Sequence, residues 1–181
     1  MNKTLLITLI IALSLLGACT AAAQSLNSTD ELEAYLDQQP ANSPDKPIKV
    51  AMKINENMIM DIVEVIWESG KYVSLDLSGS PLTTIPDGAF AYCAAITGIT
   101  MPNNLTSIGW AVFSDCTNIA SITIPKSVTN VGAGAFWGWT ASQTITIQGK
   151  ANREATIAAG WYSDIWGEWD DECEAQIVYR K

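Results

Sequence analysis

Ile122-Thr123-Ile124-Pro125-Lys126-Ser127-Val128, continuing through Val131-Gly132 to Ala135-Phe136, is one turn of a pattern that governs the middle of the chain. Residue types recur at an offset of 23: Leu82, Leu105 and Val128; Ile85, Ile108 and Val131; Phe90, Phe113 and Phe136. Cys93 and Cys116 keep the same period, with Trp139 in the third copy, and so do Ile96 and Ile119, Pro102 and Pro125, Gly109 and Gly132. The alternating pairs Ile99 and Met101, Ile122 and Ile124, Ile145 and Ile147 read as strands in step. Leu75 and Leu77 precede Ile99 and Met101 by 24, so the first copy holds one extra residue around Ser78-Gly79-Ser80-Pro81. A fixed period of this length marks a stacked array, because one such unit cannot bury its apolar edge alone.

The expected unit is a short strand, a turn marked by proline or asparagine, an apolar step and a tight segment ending in Phe. Stacking aligns the Leu/Ile/Val, Phe and Cys positions into internal ladders, with the strands forming a parallel sheet. The stretch Ile122 to Phe136, and its counterpart Ile99 to Cys116, resemble the 23-residue leucine-rich repeat of the BspA-like, treponemal type. The resemblance covers roughly residues 72 to 149. Two departures stand out: Ile85-Pro86 where Ile-Gly is usual, and Trp139 in the cysteine place. The fold class is therefore read as α/β, a short leucine-rich repeat solenoid with a parallel β-sheet on one face, capped at both ends by helix and strand units.

The flanks supply the caps. Ser28 and Glu31 form a capping box ahead of Leu32, Tyr35 and Leu36, which predicts a short helix. Ile48 to Met52 alternates as a strand, Ile59, Ile62, Val63 and Ile66 form a helical stripe ended by Gly70, and Val73, Leu75 and Leu77 alternate again, so a βαβ unit is expected. Arg153 to Trp166, helical in part, and the alternating Ala175 to Tyr179 cap the other end. The expected division is signal peptide 1–18, lipidated flexible tether 19–30, N-terminal cap 31–74, about three repeats of 23 residues over 75–149, and C-terminal cap 150–181.

The export reading rests on residues before the fold. Lys3 precedes an apolar run from Thr4 to Leu16 that is too short to span a bilayer comfortably, which describes a secretory signal. Leu16-Gly17-Ala18-Cys19 resembles the lipobox of bacterial lipoproteins, in which the cysteine is lipidated and becomes the mature N-terminus. Cleavage after Ala21-Ala22-Ala23, which would discard Cys19, is the alternative. With Cys19 acylated, the protein is expected to be exported and held on the outer membrane or cell surface, since two or three chains anchor stably where one does not.

Composition excludes several functions. The chain has no histidine, which removes Ser-His-Asp, Cys-His and His-ligated metal chemistry. A net charge of −9 repels phosphate backbones, so nucleic acid is not an expected partner. Asp76 is the only acid assigned to the sheet face, so no carboxylate pair spans a cleft and no enzyme, cofactor or metal is expected. Asp164, Glu168, Asp170, Asp171, Glu172 and Glu174 have oxygens enough for calcium but lack the ligand spacing and turn glycine of an EF-hand loop.

Alternation places two columns outward on the sheet: Asp76, Thr100, Thr123 and Thr146, and beside them Ser74, Gly98, Ser121 and Thr144. The family resembled commonly binds ligands on this face, so Ser74, Asp76, Thr100, Ser121, Thr123, Thr144 and Thr146 are the candidate partner-binding residues. Exposed-strand propensity alone also explains the threonines. Trp110 and Trp137 are candidate aromatic anchors, or else pack over an edge; Trp161, Trp166 and Trp169 are assigned to the C-terminal cap. Cys93 and Cys116 would lie one strand spacing apart, about 4.8 Å and within disulfide reach. The resemblance implies a packing role for them instead. Family resemblance further implies an adhesion-like protein ligand such as a host matrix protein. The alternatives are a carbohydrate-binding module using Trp110, Trp137 and Trp139, or an envelope spacer.

Overall fold

The computed structural model describes residues 25–161, 163–164, 167–168 and 172–181. The chain enters with β1 (Ser25–Leu26) and α1 (Thr29–Asp37). Ser28 caps α1, its side chain accepting from the Glu31 N–H at 3.2 Å. The return bond falls one residue earlier than a capping box places it: the Glu31 carboxylate accepts from the Asn27 N–H at 2.8 Å. Leu32 and Leu36 are buried against the following helix. Next come β2 (Ile48–Met52) and α2 (Ile59–Glu68), whose buried stripe is Ile59, Ile62 and Ile66, and then β3 (Val73–Asp76). Gly70, at φ +62°, takes the left-handed conformation that ends α2. β2 and β3 pair in parallel from Ile48↔Val73 to Ala51↔Asp76, the expected βαβ unit.

One boundary differs. Residues up to 30 were expected to form a tether, but β1 pairs in parallel with β2, Leu26 opposite Met52, and Leu26 is buried. A single apolar side chain seated in the core and a short ladder bring the chain into the fold by Ser25.

The repeats form two strand series. The longer strands are β5 (Ile96–Thr100), β7 (Ser121–Ile124) and β9 (Thr144–Gln148). Between them lie two-residue strands, β4 (Thr84–Ile85), β6 (Ser107–Ile108) and β8 (Asn130–Val131), which pair as Thr84↔Ser107↔Asn130 and Ile85↔Ile108↔Val131. A further set of backbone bonds joins the tight segments: Gly88, Phe90 and Tyr92 donate to the carbonyls of Trp110, Val112 and Ser114, and Ala111, Phe113 and Asp115 donate to those of Ala133, Ala135 and Trp137. Each coil thus satisfies its neighbour's backbone along the short-strand ladder and the tight segments, which lets these polar groups lie next to a core.

The apolar ladders run in register inside. Leu82, Leu105, Val128, Ile85, Ile108 and Val131 are all buried. Phe90 and Phe113 stack with centroids 5.6 Å apart and planes 4° from parallel, and Phe113 and Phe136 at 5.7 Å and 14°. The glycine of the Ile/Val-Gly step is there for close approach. A Cβ on Gly132 would lie 2.6 Å from both the Gly109 carbonyl carbon and the Trp110 nitrogen, and one on Gly109 would lie 2.7 Å from the Asp87 nitrogen. Pro86 belongs to the first copy, with no earlier step to rest on, so the constraint that selects glycine is absent there.

The outer sheet is not continuous. The order β1-β2-β3-β5 makes one parallel sheet; β7, β9 and a last strand make another, and among the described residues no ladder joins β5 to β7. The single sheet expected on this face is therefore two. The β3–β5 ladder carries a register shift, Val73↔Ile96 followed by Ser74↔Gly98, and such bulges sharpen local twist. The extra residue near Ser80 restores the 23-residue offset. Ser80 is buried, its hydroxyl donating to the Met52 carbonyl at 3.0 Å and accepting from the Ile54 N–H at 3.1 Å, so it ties the first coil to the cap.

The C-terminal cap opens with α3 (Arg153–Ala158), capped by Asn152 and followed by Gly160 at φ +95°. An antiparallel pair follows, β10 (Ser163–Asp164) with β11 (Gly167–Glu168), and then β12 (Gln176–Arg180), parallel to β9 and completing the order β12-β9-β7. Trp161 is buried. Trp166 and Trp169 lie outside the described residues.

Candidate partner-binding site

The registers align the outward columns within each half of the face: Ser74 beside Gly98 and Asp76 beside Thr100, then Ser121 beside Thr144 and Thr123 beside Thr146. At the break between β5 and β7 a groove of about 430 Å³ opens, lined by Ser74, Gly98, Thr100, Asn103, Ser121, Thr123 and residues around them. Thr100, Ser121 and Thr123 are exposed and Ser74 is half-buried. Its polar lining is thus four short hydroxyls and the amides of Asn103 and Gln148, each able to donate and accept, beside the apolar Ile99, Met101 and Pro125.

Three of the expected residues stand apart from this groove. Asp76 turns its carboxylate to its own loop, accepting from the Ser78 N–H at 2.9 Å. Thr144 and Thr146 are half-buried on β9 and do not line it. Cys19 lies outside the described residues.

The tryptophans separate into two kinds. Trp110 and Trp137 are exposed and line a second groove, of about 510 Å³, with Asp87, Gly109, Asn130, Gly132 and Ala133. Trp139 is buried, which removes it from the sugar-binding set. Its indole sits edge-on to Phe136 at 5.3 Å and donates to the Phe113 carbonyl at 2.7 Å. Cys116 makes the equivalent bond one coil earlier, its Sγ donating to the Phe90 carbonyl at 3.0 Å. Trp and Cys exchange at this position because each offers an apolar body and one donor.

Cys93 and Cys116 are free and buried, and Cys173 is half-buried. Burial, and then the neighbouring Cys93, push the Cys116 thiol up to about 12. Such a group stays protonated and inert at neutral pH. Among the described residues no group of three or more acids and cysteines is placed to hold a metal ion, and no helix is long and apolar enough to cross a membrane. Asp170 and Asp171 of the acidic cluster lie outside the described residues.

Two features escaped the sequence reading. Gln143 is buried, its amide donating to the Cys116 and Ile119 carbonyls at 3.0 and 2.9 Å while its oxygen accepts from the Thr140 N–H. It closes the last coil, but a lone Gln among repeat positions carries no periodic signal. Tyr92 and Trp67 are the most exposed large hydrophobic side chains among the described residues, and neither falls on an apolar stripe.

Residues 68–157 match the family described as BspA type leucine rich repeat region (6 copies). No curated protein matches the chain. Together with the 23-residue register of the strands and the stacked Phe rings, the match supports the leucine-rich repeat family for this array.

Proposed function

We propose that this chain is a lipid-anchored envelope protein whose repeat solenoid binds a protein partner through the sheet face, centred on the groove between β5 and β7. Leucine-rich repeats are interaction modules and generally non-catalytic, which supports the class of activity. The observation that carries the location is the convergence of Ser74, Thr100, Ser121 and Thr123 on one groove of about 430 Å³. Binding sites are concave surfaces with a few converging polar groups, and this face offers hydroxyls on both walls. Attachment to the outer membrane or cell surface through acylated Cys19 rests on Leu16-Gly17-Ala18-Cys19 behind its apolar run. An adhesion-like role toward a host matrix protein rests on the family likeness alone.

The test compares capture of purified extracellular-matrix proteins and of envelope extract by the full chain and by a Thr100→Glu, Ser121→Glu, Thr123→Glu variant. A partner recovered by the parent and lost by the variant supports the site. Equal recovery of every partner removes it and favours an envelope spacer. Radiolabelled fatty acid entering the parent but not Cys19→Ser checks the anchor.

A further inference from the structure

The second groove shares no lining residue with the sheet-face groove. Gly109 and Gly132 follow β6 and β8 directly, so its floor lies at backbone level. Asp87, Trp110 and Ala133 occupy equivalent positions in three successive coils. Ala133 supplies only a methyl where Trp110 supplies an indole, which leaves room beside the ring. Trp110 is 57% exposed and Trp137 43%, whereas Trp139 and Trp161 are 1% and 2% exposed, so these two indoles are held outside the core. The Asp87 carboxylate accepts from the Trp110 backbone N–H at 2.8 Å, which fixes the acid on the wall of the groove that the ring also lines. Among the described residues the lining holds one carboxylate, one amide and two indoles, and no base.

We propose that this groove binds the cationic side chain, arginine or lysine, of a basic protein segment. The face of an indole attracts a cation more strongly than any other ring does, and a guanidinium also stacks on it. Asp87 supplies the opposite charge at the wall, and the net charge of −9 draws basic partners toward the molecule. A neutral sugar would stack on the same rings but gain nothing from the charge of Asp87, and an anion would be repelled. The site is independent of the sheet-face reading and stands or falls separately.

The experiment titrates the full chain by calorimetry with an acetylated, amidated hexapeptide carrying two arginines, and with the same peptide carrying citrulline, which keeps the shape and loses the charge. The arginine peptide binds, and citrulline weakens binding about tenfold. Trp110→Leu and Trp137→Leu, which keep apolar area and remove the ring face, each weaken the arginine peptide about tenfold. Asp87→Asn, which retains an acceptor for the Trp110 N–H, weakens it several-fold and reduces its salt dependence. Unchanged melting temperatures show that the variants fold; should a Leu variant unfold, Asp87→Asn and the citrulline comparison decide alone. Equal binding of the two peptides, or no peptide binding together with Trp-dependent binding of a neutral chito-oligosaccharide, overturns the proposal.

Discussion

Gly132→Ala probes the stacking of the coils at its tightest point. The added Cβ would meet the Gly109 carbonyl carbon and the Trp110 nitrogen at 2.6 Å and the Gly109 oxygen at 2.8 Å, all backbone. Ordinary contact begins near 3.4 Å, so the third coil would have to retreat by about 0.8 Å. That movement strains the Gly132 N–H bond to the Ile108 carbonyl, now 2.8 Å, and the Ile108↔Val131 step beside it. Overpacking of this kind costs about 1–3 kcal/mol, and one or two weakened backbone bonds add about 1 kcal/mol each. We expect a loss of about 3 kcal/mol, or roughly 6–12 °C in melting temperature for a chain of this size. Gly132 is not in the left-handed region, so conformational strain contributes nothing. The control is Gly98→Ala, where the nearest atom is the movable Ser74 Oγ at 3.1 Å and the cost should stay under about 1 kcal/mol. Urea and thermal unfolding followed by circular dichroism measure both. A Gly132→Ala protein as stable as Gly98→Ala would refute the close approach of the coils.

Gly88→Ala isolates the opposite effect: at φ +63° with open space around it, the substitution should cost about 1 kcal/mol in urea unfolding through backbone conformation alone. Gln143→Leu strips the Cys116 and Ile119 carbonyls of their donor and should destabilise by about 1–3 kcal/mol, whereas Gln176→Leu, whose amide bonds the exposed Ala141 carbonyl, should change stability by under about 0.5 kcal/mol. The Cys116 thiol has its folded pKa raised from 9.0 to about 12, so the unfolded chain releases this proton first; the contribution is whole below pH 9 and is lost as pH rises toward 12. Cys116→Ala should flatten the decline of stability over that window. At pH 8, iodoacetamide should reach the buried Cys93 and Cys116 only after unfolding, as read by peptide mass.

The interior was legible because its residues repeat. Phe90, Phe113 and Phe136 announce a column at any one position and a period across three, and the rings do stack. The βαβ cap was legible from the stripe Ile59, Ile62 and Ile66 between two alternating strands. The second ladder was not, because strands as short as Thr84–Ile85 contain no alternation to read. The break between β5 and β7 was hidden for a different reason: Gly98-Ile99-Thr100 and Ser121-Ile122-Thr123 keep the same 23-residue offset as the paired β7 and β9, so the spacing does not mark where the ladder stops. That break decides which hydroxyls share a groove, so the outward columns were readable and the site within them was not. Trp110 and Trp139 are equally apolar in sequence; the one is exposed and the other buried because only Trp139 occupies the interior column that Cys93 and Cys116 define.

Double-mutant cycles among Phe90, Phe113 and Phe136, each changed to Leu, test the in-register stack most directly. Neighbouring rings should couple by about 0.5–1.5 kcal/mol in both the 90–113 and 113–136 pairs, while the separated 90–136 pair should be additive within about 0.5 kcal/mol. Additivity in the neighbouring pairs, or coupling as strong between Phe90 and Phe136 as between adjacent rings, would contradict the stacked array on which both grooves depend.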